Sequence, residues 1–98
     1  MTREEIISRI RSSATALRAE GVTKLAIFGS RARDDARPDS DLDVLIEVDP
    51  QAKFSLLNLS GVGLIVEEVT GLKTQVSMHR SLDPRMAERI ADDVIEVL

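Results

Sequence analysis

The sequence predicts an α/β (α+β) domain with a three-stranded sheet and the element order αβαβαβα. Three observations support this fold class. Apolar residues recur at helical spacing in separate segments, short runs between them have the length or the alternation of strands, and glycine or proline ends most of the runs. The chain has 98 residues, of which 43% are hydrophobic, which is enough for one core. We therefore predict a single domain over residues 1–98.

The first helix is predicted over Arg3–Glu20. Thr2 and Glu5 have the spacing of a capping box, and Gly21 suits the position just after a helix end. Apolar residues recur at helical spacing between these ends, at Ile7, Ile10, Ala14 and Leu17. The run KLAIF, Lys24–Phe28, is too short for a helix and predicts a buried strand.

The second strand is predicted from Asp41, where apolar and mostly acidic positions alternate. The residues of its apolar face are Leu42, Val44, Ile46 and Val48. Pro50 ends this strand, and a helix is predicted over Phe54–Val69. Residues 54–66 carry no charge and are apolar on nearly all sides, which indicates either a core position or an interface with a partner or a second copy.

The third strand and the last helix follow Gly71. The strand is predicted from the alternation in the run LKTQVSM, with one face formed by Thr74, Val76 and Met78. Asp83 suits an N-cap and Pro84 the first helical position. This last helix is predicted to turn an apolar stripe toward the core, formed by Ala87, Ile90, Val94 and Val97.

Composition argues against several classes of function. Lysine and arginine number 13 and acidic residues 17, so the net charge is −4, and only two residues are aromatic. A nucleic-acid-binding protein would need a basic surface or a stacking platform. The absence of cysteine excludes disulfides and thiolate metal sites. The N-terminus is charged and no apolar run approaches the roughly 20 residues of a membrane span. We expect a cytoplasmic protein with no membrane association and no direct nucleic-acid partner.

The segment FGSRARDDARPDSDLDVLIEV, residues 28–48, carries the strongest functional signal. Asp41 and Asp43 are two residues apart on a predicted strand, so their side chains project from one face, about 6 to 7 Å apart at Cα. Such a pair can hold one hard cation or two adjacent ones, and Mg²⁺ commonly binds one or two carboxylates together with substrate phosphates. Taken alone, the same pattern also fits an ordinary solvated strand face.

A glycine and serine turn precedes this pair. Gly29 follows a buried strand and permits a sharp turn, and Ser30 can begin a short helix. Exposed N–H groups beside a hydroxyl form a natural phosphate site. Arg31, Arg33 and Arg37 could add charge-assisted contacts to the same phosphates. The turn and the aspartate pair together predict a site for a magnesium-bound nucleotide.

These residues resemble a known family. Gly29-Ser30, the run Arg31–Arg33 and the run Ser40–Asp43 are similar to the signature of the DNA polymerase β-type nucleotidyltransferase superfamily, and specifically of its minimal nucleotidyltransferases, the MntA-like antitoxins. The similarity continues through VEEVTGLK and SLDPRMAERI, so it covers nearly the whole chain.

The resemblance implies a mixed sheet with helices on one face and the active site on the other. It implies that Gly29, Ser30 and Arg33 bind the phosphates of ATP and that Asp41 and Asp43 bind Mg²⁺ and are catalytic. Members of this group are usually encoded beside a HEPN-domain RNase toxin, and as its antitoxin they transfer AMP to a toxin tyrosine.

The sequence departs from the family pattern at two positions. Gln75 stands where a third catalytic carboxylate is expected, and an amide coordinates Mg²⁺ weakly and accepts no proton near neutral pH. Asp34 stands where the family commonly has glycine. Glu47 shares the face of the aspartate pair but lies about 13 Å beyond Asp43, too far to replace the missing ligand. His79 is expected to be a surface residue.

Three functional hypotheses remain open at this stage. The chain is an antitoxin that transfers AMP to a HEPN toxin, a catalytically impaired antitoxin that acts by binding alone, or a nucleotidyltransferase for small molecules. Gln75 and the uncharged helix over residues 54–66 favour the second hypothesis. The third is the weakest, because 98 residues leave no room for a domain that holds the acceptor.

Overall fold

The computed structural model describes residues 1–98 and contains five α-helices, four β-strands and one short 3-10 helix. In chain order they are α1 (Arg3–Arg11), α2 (Ala14–Ala19), β1 (Val22–Phe28), α3 (Ser30–Arg33), β2 (Leu42–Val48), α4 (Leu56–Thr70), β3 (Thr74–Met78), the 3-10 helix (His79–Ser81), α5 (Pro84–Ile90) and β4 (Ile95–Glu96). None of the helices combines the length and the hydropathy needed to span a bilayer. The observed bounds of β1, β2, α4 and β3 agree with the sequence predictions to within two residues.

The sheet is mixed, with the strand order β3-β2-β1-β4. Strand β1 runs antiparallel to β2 and to β4, whereas β2 and β3 are parallel. Parallel neighbours need a crossover connection, and α4 provides it. The register pairs Phe28 with Asp43 and Asp43 with Gln75, so these three residues form one row across β1, β2 and β3.

The two faces of the sheet are covered differently. Helices α1, α2 and α4 pack on one face around the main core, whose fully buried side chains include Ile6, Ile10, Leu17, Leu25, Ile27, Val44, Ile46, Val62 and Val66. On the other face Phe28 and Leu45 pack against Ile90 of α5. The expectation that all helices lie on one face is therefore wrong for α5, because these two apolar strand residues also need cover from water.

The first helix is shorter than predicted. Residues 3–20 form two helices that are separated at Ser12 and Ser13. The Ser12 hydroxyl donates to the Arg9 carbonyl, and the Ser13 N–H donates to the carbonyl of Ile10, three residues back. Serine side chains compete for backbone acceptors in this way, and the tighter turn ends α1. The capping box at the start of α1 is present as predicted.

The predicted number of three strands is also wrong, because the chain ends in a fourth. Helix α5 begins at its predicted N-cap, Asp83, but it ends at Ile90. Val94 and Val97 are outside the helix, and the Val97 N–H donates to the Leu25 carbonyl of β1 at 2.8 Å. Branched side chains favour strands, and this pairing covers the edge of β1.

Candidate active site

The end of β1 and the start of β2 meet at one point, formed by Gly29 and Asp43. Gly29 has φ 74° and ψ −158°, a conformation that is essentially restricted to glycine. A Cβ atom at this position would lie 2.5 Å from Oδ2 of Asp43. No side chain fits there, so the backbone of the predicted phosphate turn lies directly against a carboxylate of the predicted metal pair.

Helix α3 begins immediately after this glycine, at Ser30. The Gly29 carbonyl accepts hydrogen bonds from the N–H groups of Ala32 and Arg33. The N–H groups of Ser30 and Arg31 have no acceptor within the protein, as expected for the first turn of a helix. Two backbone donors and the Ser30 hydroxyl are thus available beside Asp43, in the arrangement that suits a phosphate group.

The two aspartates lie at the N-terminal end of β2, on the sheet face opposite the main core. Desolvation raises the pKa of the Asp43 carboxyl, and the negative charge of Asp41 raises it further. The second effect requires the two carboxylates to be close. A divalent cation between them would relieve the repulsion, and oxygen donors of this charge suit Mg²⁺, so the residues present fit the expected ion. No group of three or more acidic, histidine or cysteine side chains forms a larger metal cluster.

Gln75 lies beside this pair on β3. Its Nε2 atom donates a hydrogen bond to Oδ2 of Asp41 at 2.9 Å. The residue at the position of the expected third carboxylate is therefore in contact with Asp41, and it contributes a hydrogen-bond donor in place of a third negative charge. It satisfies one lone pair of Asp41 that would otherwise be open to a cation or to water. The sequence shows that glutamine replaces the expected carboxylate, but it did not predict the hydrogen bond to Asp41.

The three arginines after Ser30 have different surroundings. Arg31 is 6% exposed and donates to backbone carbonyls of the loop before β2, so the predicted contact of its side chain with phosphates is wrong. Arg33 donates to Asp35 at 3.1 Å and to Asp93 at 2.8 Å. Its predicted role in phosphate binding stays a prediction, and two of its three guanidinium nitrogens, Nε and Nη1, are already paired with carboxylates. Arg37 is exposed, and no hydrogen bond of its side chain is formed.

Asp34, the second departure from the family pattern, has a structural role. It follows α3 in the left-handed conformation, with φ 64° and ψ 29°, which glycine adopts more readily than any other residue. Its Oδ1 atom accepts a hydrogen bond from the Arg3 N–H at 3.2 Å, at the start of α1. The carboxylate therefore faces α1, and this contact offsets part of the cost of the left-handed backbone.

Glu47 and His79 lie away from the aspartate pair. Glu47 is paired across the sheet with Lys24, at the opposite end of β2 from Asp43. Together with His79 it lines a cavity of about 310 Å³ between α5 and the sheet. Leu45 also lines this cavity and lies between Glu47 and Asp43 on the same face of β2, whereas neither aspartate lines it.

Comparison with known proteins agrees with this geometry. The Nucleotidyltransferase domain family matches residues 7–97. The chain is 32% identical over 98 residues to the protein adenylyltransferase MntA of Thermococcus cleftensis, with 99% of this chain and 97% of that protein covered.

Solved structures show the same fold. A structure described as a minimal nucleotidyltransferase has a TM-score of 0.81 at 29% identity, over 97% of this chain and 95% of that one. The complex of an MNT antitoxin with the tri-AMPylated HEPN toxin of Shewanella oneidensis contains a chain with a TM-score of 0.67 at 10% identity, over 99% of this chain and 72% of that one. The protein described here belongs to the Nucleotidyltransferase domain family.

Proposed function

We propose that this protein is an antitoxin that uses ATP and Mg²⁺ to transfer AMP to a HEPN-domain toxin. The observation that carries the proposal is the contact between Gly29 and Asp43, which brings a turn suited to phosphates and a carboxylate pair suited to Mg²⁺ into one site. The similarity to a protein adenylyltransferase along the whole chain supports AMP transfer. The similarity in fold to an antitoxin bound to an AMPylated HEPN toxin supports the choice of partner.

Each side chain of the site has a role in this proposal. Ser30 and the backbone N–H groups beside it bind and orient the phosphates. Asp41 and Asp43 hold the Mg²⁺ ion, which when bound would neutralise phosphate charge and make the α-phosphorus more open to attack. The acceptor oxygen forms a bond to the α-phosphorus while the bond to the leaving pyrophosphate breaks. The chain thus contributes mainly orientation and charge.

The acceptor hydroxyl must also lose its proton. Gln75 has no group that accepts a proton near neutral pH, and its Nε2 atom donates to Asp41. Because Asp41 and Asp43 are assigned to the Mg²⁺ ion in this proposal, the proton leaves to water or to a group of the partner. We expect slower transfer than in a site with three carboxylates.

The exposed side of α4 is the proposed surface for the protein partner. Leu56, Leu57 and Leu64 are 81%, 83% and 65% exposed, whereas Val62 and Val66 on the other side of the helix are fully buried. The helix has no charged residue before Glu67. An apolar, uncharged surface of this kind favours association with another protein or with a second copy of this chain.

A second candidate function follows from the same surface. The protein could neutralise its toxin by binding alone, without AMP transfer. The contact of Gln75 with Asp41 and the exposed leucines of α4 favour this alternative.

Transfer of label from ATP labelled at its α-phosphorus separates the two functions. The wild-type protein, MgCl₂ and a HEPN toxin encoded beside it should give a labelled toxin, and the Asp41→Asn/Asp43→Asn double variant should give none. Asp39→Asn removes an exposed charge just before the pair and serves as the matched control. If toxin neutralisation persists in the double variant, binding alone is the function.

A further inference from the structure

We propose that Arg31 is a positioning residue that fixes the loop before Asp41, and so the position of Asp41, relative to the helix that begins at Ser30. The inference rests on the proposed function of this site and assigns a role to a residue outside the aspartate pair. Arg31 belongs to α3 and directly follows Ser30, whereas Asp41 follows a loop between α3 and β2. The two halves of the site are separated along the chain by this loop, so their relative position depends on contacts across it.

The Arg31 guanidinium makes these contacts. Its Nη2 and Nε atoms donate to the Ser40 carbonyl at 2.9 and 3.3 Å, and Nη2 also donates to the Pro38 carbonyl at 3.3 Å. Ser40 immediately precedes Asp41. One side chain therefore connects the residue after Ser30 to the residue before Asp41.

The loop also has two hydrogen bonds of its own, both between Arg37 and Ser40. The Ser40 N–H donates to the Arg37 carbonyl at 3.0 Å, and the Ser40 hydroxyl accepts from the Arg37 N–H at 2.9 Å. These bonds close a tight turn over residues 37–40. Arg31 holds this turn against α3, and the backbone then enters β2 at Leu42, whose N–H donates to Lys73 of the strand connection.

Burial of Arg31 without an acidic partner is unusual. The side chain is 6% exposed, and the salt bridges of the protein involve other residues, Arg3 and Arg33. A buried charge is costly unless it is fully hydrogen-bonded, and an apolar residue of similar size would fill the same space. The arrangement is explained if the loop requires donors in a fixed planar geometry. Lysine cannot reproduce it, because its single ammonium group cannot hold both carbonyls in the same plane.

The test measures backbone order directly, in the protein without nucleotide. Hydrogen exchange is compared by NMR for the wild type, Arg31→Lys and Arg31→Met, with Arg18→Met as the control for removal of an exposed helical arginine. We expect the amides of Arg37 and Ser40 to exchange about ten-fold faster in both Arg31 variants. The amide of Ile27 in β1 reports the core and should keep its rate. If Arg31→Met fails to fold, the exchange rates of Arg31→Lys alone decide the outcome.

A second measurement links this loop to the site. Thermal stabilisation by MgATP gives an apparent affinity, which we expect to be about ten-fold weaker in Arg31→Lys and unchanged in Arg18→Met. Full affinity and unchanged exchange in Arg31→Lys would overturn the proposal, since the charge alone would then suffice. Absence of any stabilisation of the wild type by MgATP would contradict the nucleotide site itself, and the exchange rates would still decide the role of Arg31.

Discussion

Gln75 and Asp41 are joined by a hydrogen bond of 2.9 Å between Nε2 and Oδ2. The bond connects β3 to the residue that directly precedes β2. Gln75 occupies the position where the family resemblance implies a third carboxylate. An amide here stabilises the aspartate pair in the absence of a cation, and it also removes a negative charge that would help to bind one. The effect of this residue on stability and its effect on catalysis are therefore expected to have opposite signs.

Gln75→Asp tests the expected effect of Gln75 on stability. The variant places a third negative charge beside Asp41 and removes the donor, so we expect a loss of about 1 kcal/mol in the free energy of unfolding without Mg²⁺. MgCl₂ should restore most of it. Gln75→Asn has the shape of aspartate without the charge, and its unfolding should not respond to MgCl₂ beyond the response of the wild type. Equal responses of the two variants in urea titrations would contradict the account.

Asp43 is expected to lower stability at neutral pH. Its pKa is raised by desolvation and then by Asp41, so the folded state disfavours the ionised form. The stability associated with the neutral carboxyl is present below the ordinary aspartate pKa of about 3.9 and is lost as pH rises through the raised value. Asp43→Asn should therefore raise the melting temperature at pH 7 and give no gain near pH 3. A gain of equal size at both pH values would show that charge is not the cause.

Gly29 is expected to tolerate no side chain. Gly29→Ala places a Cβ 2.5 Å from Oδ2 of Asp43 in a backbone conformation restricted to glycine, and we expect a loss of about 2 to 3 kcal/mol together with loss of MgATP binding. Gly71→Ala is the matched control, because Gly71 also has positive φ, at 71°, but has nothing within 4 Å of the added atom. Chemical denaturation should show a smaller loss there, about 1 kcal/mol, with MgATP binding intact.

The exposed leucines of α4 are expected to govern association. Leu57→Glu and Leu64→Glu each place a charge on the apolar surface without disturbing the buried side of the helix. We expect them to weaken binding to the toxin by at least about ten-fold, with MgATP binding unchanged. Glu68→Gln, on the same exposed side, changes a charge outside the apolar surface and should have little effect. Isothermal titration with the toxin measures the difference, and unchanged affinity in both glutamate variants would exclude this surface.

Much of the fold could be predicted from local sequence signals. The capping residues Thr2 and Asp83 and the alternation in β2 and β3 are local features, and the elements they predict are present. The ends of α1 and α5 could not be predicted in this way. The Ser12 hydroxyl bond and the pairing of β4 with β1 compete with helical periodicity, and the second depends on a strand about 70 residues earlier in the chain.

The candidate site likewise contains some features that the sequence predicts and one that it does not. Gly29, Asp41, Asp43 and Gln75 were identified from spacing and from the family resemblance, and the structure brings them together. The burial of Arg31 could not be predicted, because an arginine close to a glycine turn more typically binds an anion than donates hydrogen bonds to backbone carbonyls. Its hydrogen-bond acceptors are two backbone carbonyls. Every residue has such a carbonyl, so the sequence does not indicate which ones Arg31 contacts.

The most direct test of the central claim is the intact mass of the HEPN toxin after incubation with this protein, ATP and MgCl₂. We predict a mass gain in whole units of AMP with the wild-type protein and a faster gain with Gln75→Asp. An unmodified toxin in the presence of the wild-type protein would contradict AMP transfer as its function. If only Gln75→Asp then produced a gain, the nucleotide site would be intact and the natural protein would act by binding.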